Sequence, residues 1–217
     1  MLKYPYVLFD LDGTLIDTNE IIIDSYRHTL KQYVPHETFS DQQIIDFIGP
    51  PLEVIFERYV SKADVTEMIE VYRAYYRAHE ESMHRLYPGV KETLKALKKL
   101  GVKMAIVTSK YKAGAMPSVR YYGLESYFDA FIGLDDVTHP KPHAEPVLKA
   151  LHLLGAKENS PALMIGDNQG DILAGFNAGI EGVGVAWAIK GEKHLSEVNP
   201  TYLIHEMSEL IDIVQGG

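Results

Sequence analysis

The feature that most constrains this chain is a rhythm. From Pro88 onward, short apolar runs alternate with segments of ten or so residues whose apolar positions recur at helical spacing. "VKMAIVTS", "AFIGLDD", "ALMIGD" and "GVGVAW" read as strands, with a shorter one in "TYLIH". "PGVKETLKALKKLG", "EPVLKALHLLG", "GDILAGFNAG" and the closing "MSELIDIV" read as helices. The segment after "VKMAIVTS" reads as a helix interrupted by Pro117. Strands that alternate with helices build βαβ units. The expected fold is therefore α/β, a Rossmann-like parallel sheet with helices on both faces.

One strand stands apart from that rhythm. "YPYVLFD" is a continuous apolar run stopped by charge and glycine, and no comparable strand follows until about residue 86. Helices fill the gap. "NEIIIDSYRHTLKQYV" has helical spacing, "SDQQIIDFIG" opens on a capping box of Ser40 with Gln43, and "PPLEVIFERYV" begins on prolines suited to a first turn. "DVTEMIEVYRAYYRAHEESMH" is long and amphipathic. The spacing predicts a core over 1–17 and 85–217, with an all-helical cap over 18–84 inserted after the first strand.

Composition removes whole classes of function. With 21 Lys and Arg against 30 Asp and Glu, the net charge of −9 argues against nucleic-acid and anionic-membrane partners, which need clustered cations. There is no cysteine, so disulfides, thiolate catalysis and cysteine-type zinc sites are excluded. The first apolar stretch ends at Asp10, too short for a signal core, and no run reaches membrane-spanning length. A cytoplasmic location is expected. The nine histidines are scattered, with no pair four apart holding a helical acid between them, and read as surface or polar-core residues.

In an open parallel sheet, ligands bind beyond the carboxyl ends of the strands. Asp10 and Asp12 follow the first strand, Thr108 and Ser109 the second, Lys141 the third, and Asp167 the fourth, with Asp171 nearby. Several carboxylates around one point need a hard cation, and an all-oxygen donor set favours Mg²⁺. A lysine and two hydroxyl residues across the same edge suit the oxygens of a phosphoryl group. An aspartate beside a phosphate can attack phosphorus, and a neighbouring carboxyl can move the proton.

Blander readings compete. "DLDGTLIDTNEI" has the look of a calcium loop, but Leu15 stands where the sixth position needs glycine and Ile21 where the twelfth needs glutamate. Thr108 also suits a helix N-cap. Tyr72, Tyr75, Tyr76 and Trp187 read as packing residues rather than substrate contacts.

"DLDGT" at 10–14, "VTS" at 107–109, "KP" at 141–142 and "GDNQGD" at 166–171 resemble, in order, the four motifs of haloacid dehalogenase-like phosphohydrolases. Chance gives Asp-x-Asp-Gly-Thr on the order of 10⁻⁵ per position, and four ordered motifs make coincidence negligible. The resemblance spans the chain and includes a helical insertion of the phosphoglycolate-phosphatase-like branch. It implies Asp10 as nucleophile and Mg²⁺ ligand, and Asp12 as general acid/base with its backbone carbonyl on the metal. It also implies Thr108 on the phosphoryl oxygens, Lys141 steadying the nucleophile, Asp167 completing the metal site and Asp171 supporting it. Thr14, Ser109 and Lys110 are expected to contact substrate.

The flanks "FDLDGTLIDTNEIII", "FIGPPL", "LDDVTHPKPHAEPVLKAL", "MIGDNQGDILAGFNAG" and "GVAWAIKGEKHL" are similar to inorganic pyrophosphatases of that branch. The resemblance implies a small phosphorylated substrate, pyrophosphate before phosphoglycolate or another small monoester. "KPHAEPV" departs from the Lys-Pro-Asp-Pro usual there. Lys110, Arg58, Arg73, Arg77 and Lys190 are candidates for a second phosphate, and Gly49-Pro50-Pro51 is expected to form a cap loop facing the site. The remote alternative is a phospho-accepting receiver domain, which also gathers acids, a hydroxyl and a lysine around Mg²⁺.

Overall fold

A computed structural model describes residues 2–217, the side chain of Glu81 excepted. In chain order the elements are β1 (Tyr6–Phe9), β2 (Ile16–Asp17), α1 (Asn19–Tyr33), α2 (Asp41–Asp46), α3 (Leu52–Phe56), α4 (Lys62–Met83) and β3 (Arg85–Leu86). There follow α5 (Val90–Lys99), β4 (Lys103–Val107), α6 (Lys112–Tyr121), β5 (Ala130–Ile132), α7 (Glu145–Leu153) and β6 (Ala162–Gly166). The chain ends with α8 (Gln169–Asn177), β7 (Glu181–Val185), α9 (Glu192–Ser196), β8 (Tyr202–Ile204) and α10 (Glu209–Gln215). Two compact units result: one holds the chain up to Ile16 and from Leu86 onward, the other Asp17–Arg85. Among the described residues no helix is long and apolar enough to cross a membrane.

The first unit is built on a six-stranded sheet of order β5-β4-β1-β6-β7-β8, parallel throughout. Period-two alternation divides its side chains between two cores. Val7, Phe9, Ile106, Ile165 and Val183 pack with Leu94 and Leu97 of α5 and Leu210 of α10 on one face. Leu8, Ala105, Val107 and Met164 pack with Val147 and Ala150 of α7 on the other. Strands buried on both faces account for the unbroken apolar runs in the sequence. Phe9 is in register with Ile106 on one side and Ile165 on the other. β4 and β5 lie to one side of β1, and β6, β7 and β8 to the other, so the winding reverses at β1. That reversal opens the crevice at which such sheets bind ligands.

Two local expectations are corrected. Pro117 does not interrupt α6, which runs unbroken from Lys112 to Tyr121 with the proline inside it. Only the hydrogen bond to the Ala113 carbonyl is forfeited, and burial of Ala115, Ser118 and Val119 holds the helix against the core. Thr108 is not a helix N-cap either, because α6 begins later and Tyr111 takes that position.

In the second unit α1 packs on α4 around aromatic residues. Tyr26 lies 5.0 Å from Tyr72 and 5.7 Å from Phe56, ring centroid to centroid. Tyr72 and Tyr76 are buried in this core, whereas Tyr75 stacks on His28 and His79. The capping box of α2 forms: the Gln43 N–H donates to Ser40 Oγ at 3.3 Å, and the Ser40 N–H donates to Gln43 Oε1 at 2.9 Å. Arg73 pairs with Glu70 at 3.1 Å. Arg58, Arg77 and the Gly49-Pro50-Pro51 loop also belong to this unit.

Candidate active site

β1 ends at Phe9, and the Asp10 N–H donates to the Ile165 carbonyl at 2.9 Å, so the first acid stays fixed to β6. The chain then turns at Gly13, whose φ is +79° and whose N–H donates to Ile16 at 2.8 Å. A Cβ at Gly13 would overlap the Asp167 carboxylate. Glycine therefore serves twice there, permitting the left-handed turn and leaving room for an acid 154 positions later. Gly166 plays the second part again, since a Cβ on it would overlap Asp171.

Three acids and one lysine converge on this point. Asp10, Asp167 and Asp171 are all buried, and each offers an oxygen within 4.8 Å of the others. Lys141 Nζ donates to Asp10 Oδ1 at 2.7 Å, to Asp171 Oδ1 at 2.5 Å and to the Val107 carbonyl at 2.9 Å. Its three hydrogens are thereby all used. Asp171 also accepts the Asn168 N–H at 3.1 Å on Oδ2, closing the capping box of α8. One residue thus caps a helix and positions the lysine.

The charges do not balance. Burial pushes the Asp10 carboxyl up to about 7, with Asp171 and Asp12 adding to the rise and Lys141 opposing it. Burial, then Asp10 and Asp171, push Asp167 well above the usual carboxylate range. Burial pulls Lys141 toward neutrality, but Asp10 and Asp171 outweigh it and raise its pKa. The cluster is short of positive charge. A divalent cation fits that deficit, and the donor set, oxygen throughout, is that of a hard ion.

The remaining expected residues take up distinct places. Asp12 accepts from Lys110 Nζ at 3.2 Å, less buried than Asp10. Thr14 is fully buried, and its hydroxyl donates to Asp167 Oδ1 at 3.4 Å, so it props an acid. Thr108 closes β4: its N–H donates to the Ile132 carbonyl at 3.0 Å, and its Oγ1 accepts the Lys110 N–H at 3.2 Å. Ser109 beside it is half-buried. Lys190 lies in the same unit, and Trp187 packs on Tyr87 at 5.5 Å.

Sequence reasoning missed two supports. The Val107 carbonyl is a third anchor for Lys141. Gln169 donates through its amide to the His194 carbonyl at 2.6 Å and to Glu197 at 2.9 Å, fastening the start of α8 to α9. The capping signal around Asp171 was readable in "NQGD", but the long-range Gln169 contacts leave no local trace.

A parallel sheet that reverses at β1, with an Asp-x-Asp pair just beyond β1, a lysine from the segment between β5 and α7, and acids beyond β6, defines a class. The chain belongs to the haloacid dehalogenase-like hydrolases, whose family profile matches residues 7–185. It is a hydrolase, and the receiver-domain alternative falls with that membership. Over 208 residues it is 45% identical to Pyrophosphatase PpaX of Anoxybacillus flavithermus, covering 96% of this chain and 95% of that protein. It is 44% identical to Pyrophosphatase PpaX of Halalkalibacterium halodurans, with the same coverage of both. A haloacid dehalogenase-like family protein from Streptococcus pneumoniae matches the fold with a TM-score of 0.82 at 27% identity, covering 96% of this chain and 97% of that one. A structure from Haemophilus somnus described as a predicted phosphoglycolate phosphatase matches with a TM-score of 0.85 at 25% identity, covering 99% and 100%. The resemblance read from the four motifs and their flanks is thus found in full-length relatives and in folds.

Proposed function

We propose that the protein is a Mg²⁺-dependent phosphohydrolase that acts through an aspartyl-phosphate and hydrolyses inorganic pyrophosphate to phosphate. The observation that carries the chemistry is the buried cluster of Asp10, Asp167 and Asp171 with Lys141. Asp10 and Asp167, with the Asp12 backbone carbonyl, are the residues that would hold the cation. When bound, it would supply the positive charge that keeps Asp10 ionised and offsets the charge of the phosphoryl oxygens.

Asp10 is the nucleophile. Lys141 holds one carboxylate oxygen, Oδ1, and the other attacks phosphorus as the bond to the leaving oxygen breaks. Asp12 gives its proton to that oxygen, which leaves as phosphate. Asp12 then takes a proton from water; the resulting hydroxide attacks phosphorus, phosphate departs and the Asp10 carboxylate is restored. Thr108, Ser109 and Lys110, beyond β4, orient the phosphoryl oxygens. Lys110 also fixes the Asp12 side chain for both proton transfers.

Pyrophosphate is favoured by the likeness to the two PpaX proteins across nearly the full chain. A second reading, phosphoglycolate or another small monoester, is favoured by the Haemophilus somnus fold. Phosphate release from pyrophosphate and from phosphoglycolate, each with Mg²⁺ and with chelator, separates them. The expected result is a kcat/KM for pyrophosphate at least ~10-fold higher, lost on chelation. Faster turnover of phosphoglycolate would replace pyrophosphate as the substrate, and full activity after rigorous metal removal would overturn the metal assignment.

A further inference from the structure

Between β5 and α7 the chain reads His139-Pro140-Lys141-Pro142-His143-Ala144-Glu145. Lys141 is buried in the acidic cluster, while the histidines on either side of it stay exposed. They are not apart: their ring centroids are 4.7 Å from each other. Glu145, the first residue of α7, reaches back over the loop. Its Oε1 accepts the Thr138 N–H at 3.0 Å and Lys149 Nζ at 2.8 Å. Its Oε2 accepts the His139 N–H at 2.9 Å and lies 3.1 Å from His139 Nδ1. His143 Nδ1 accepts the Glu145 N–H at 3.1 Å, and the His143 N–H donates to Pro140 at 3.0 Å. The loop is closed on its own backbone, and each of the three side chains offers a ligand atom within 4.8 Å of the others.

We propose that His139, His143 and Glu145 bind a divalent transition-metal ion of the zinc class, at a site separate from the acidic cluster. Two imidazoles and a carboxylate form a three-ligand set that leaves a fourth position to water, and imidazole nitrogen suits such an ion where Mg²⁺ prefers oxygen. The His139 Nδ1 to Glu145 Oε2 separation of 3.1 Å is already close to a ligand–ligand edge. Bonds of about 2.0–2.1 Å to a tetrahedral ion set that edge at roughly 3.3 Å. The ion takes the place of the proton shared by those two atoms. The N–H groups of Thr138 and His139, with Lys149, keep their bonds to Glu145 and orient it, as outer partners orient metal ligands. Because Lys141 lies between the two histidines, the ion clamps the stretch that delivers the lysine to Asp10.

Equilibrium dialysis of the full chain against Zn²⁺, in excess Mg²⁺, tests this. One Zn²⁺ per chain is expected at micromolar free metal. His139→Ala and His143→Ala should each weaken binding at least ~10-fold, while the exposed His152→Ala leaves it unchanged. Asp167→Ala should bind Zn²⁺ as the wild type does; loss there places the ion in the acidic cluster and overturns the proposal. A second readout needs no variant: the imidazole resonances of His139 and His143 should shift with Zn²⁺ and not with Mg²⁺. No bound Zn²⁺, wild-type binding by both histidine variants, or unmoved resonances each overturn it.

Discussion

Lys141 Nζ sits 2.7 Å from Asp10 Oδ1, although 131 positions separate the two residues. The same ammonium holds Asp171 at 2.5 Å, so one cation restrains two of the three clustered acids. Replacing it by an apolar side chain of similar length strands both carboxylates in a buried place. Removing one partner of a buried ion pair costs roughly 3–5 kcal/mol. Lys141→Met should therefore lower the Tm of chelator-treated protein by roughly 10 °C, a change read directly by thermal unfolding. An unchanged Tm would mean that the acids do not depend on the lysine.

The two acids of the Asp-x-Asp pair are expected to fail differently. Asp10→Asn keeps the shape and removes the proposed nucleophile, so kcat should fall at least ~10³-fold with the fold intact by circular dichroism. Asp12→Asn leaves Asp10 in place and removes the proposed proton carrier, and should lower kcat about 10²–10⁴-fold with little change in KM. Residual Asp10→Asn activity within tenfold of wild type would remove Asp10 from its role.

Gly166 lies at the end of β6, where a Cβ would overlap Asp171. Gly166→Ala must push α8 away from the strand, and Asp171 carries Lys141 with it. Activity is expected to fall at least ~10²-fold, since a displacement of about 1 Å at a positioning residue has that effect. Nothing lies within 4 Å of a Cβ added at Gly170, so Gly170→Ala is the control and should stay near wild type. Equal activity of the two variants would show that the close packing at Gly166 does not govern the site.

Legibility in the sequence followed how local each cause is. The α/β alternation was readable because strands buried on both faces leave unbroken apolar runs, as in Met104–Val107. The acids were readable because Asp10 and Asp167 each terminate such a run. Strand order was not, since no residue in β1 records that β4 and β6 are its neighbours. Pro117 misled because a rule that counts one lost hydrogen bond omits the burial holding α6 in place. Thr108 has the chemistry of a cap, but the helix begins beyond it. His139 and His143 escaped notice because four-residue spacing brings ligands together on a helix, whereas here a closed loop does it.

In the metal-free protein the Asp10 carboxyl is raised from 3.8 to about 7, chiefly by burial. Between those values the folded chain binds a proton that the unfolded chain has lost, so stability falls as pH rises. The contribution is complete below 3.8 and is lost as pH passes about 7. A rise of that size sets a bound of about 4 kcal/mol. Asp167 moves in the same direction. Glu145 is held down to about 2, chiefly by Lys149, so its opposing contribution is lost only as pH falls below 4.5 and leaves the upper window untouched. The Tm of chelator-treated protein should therefore decline from pH 5 to pH 7, and less steeply in Asp10→Asn. Under the proposed metal assignment, Mg²⁺ would bind the ionised cluster and should flatten the decline by raising Tm most at the upper end. A metal-free Tm that rises across this window would contradict the buried, unbalanced acids on which the site depends.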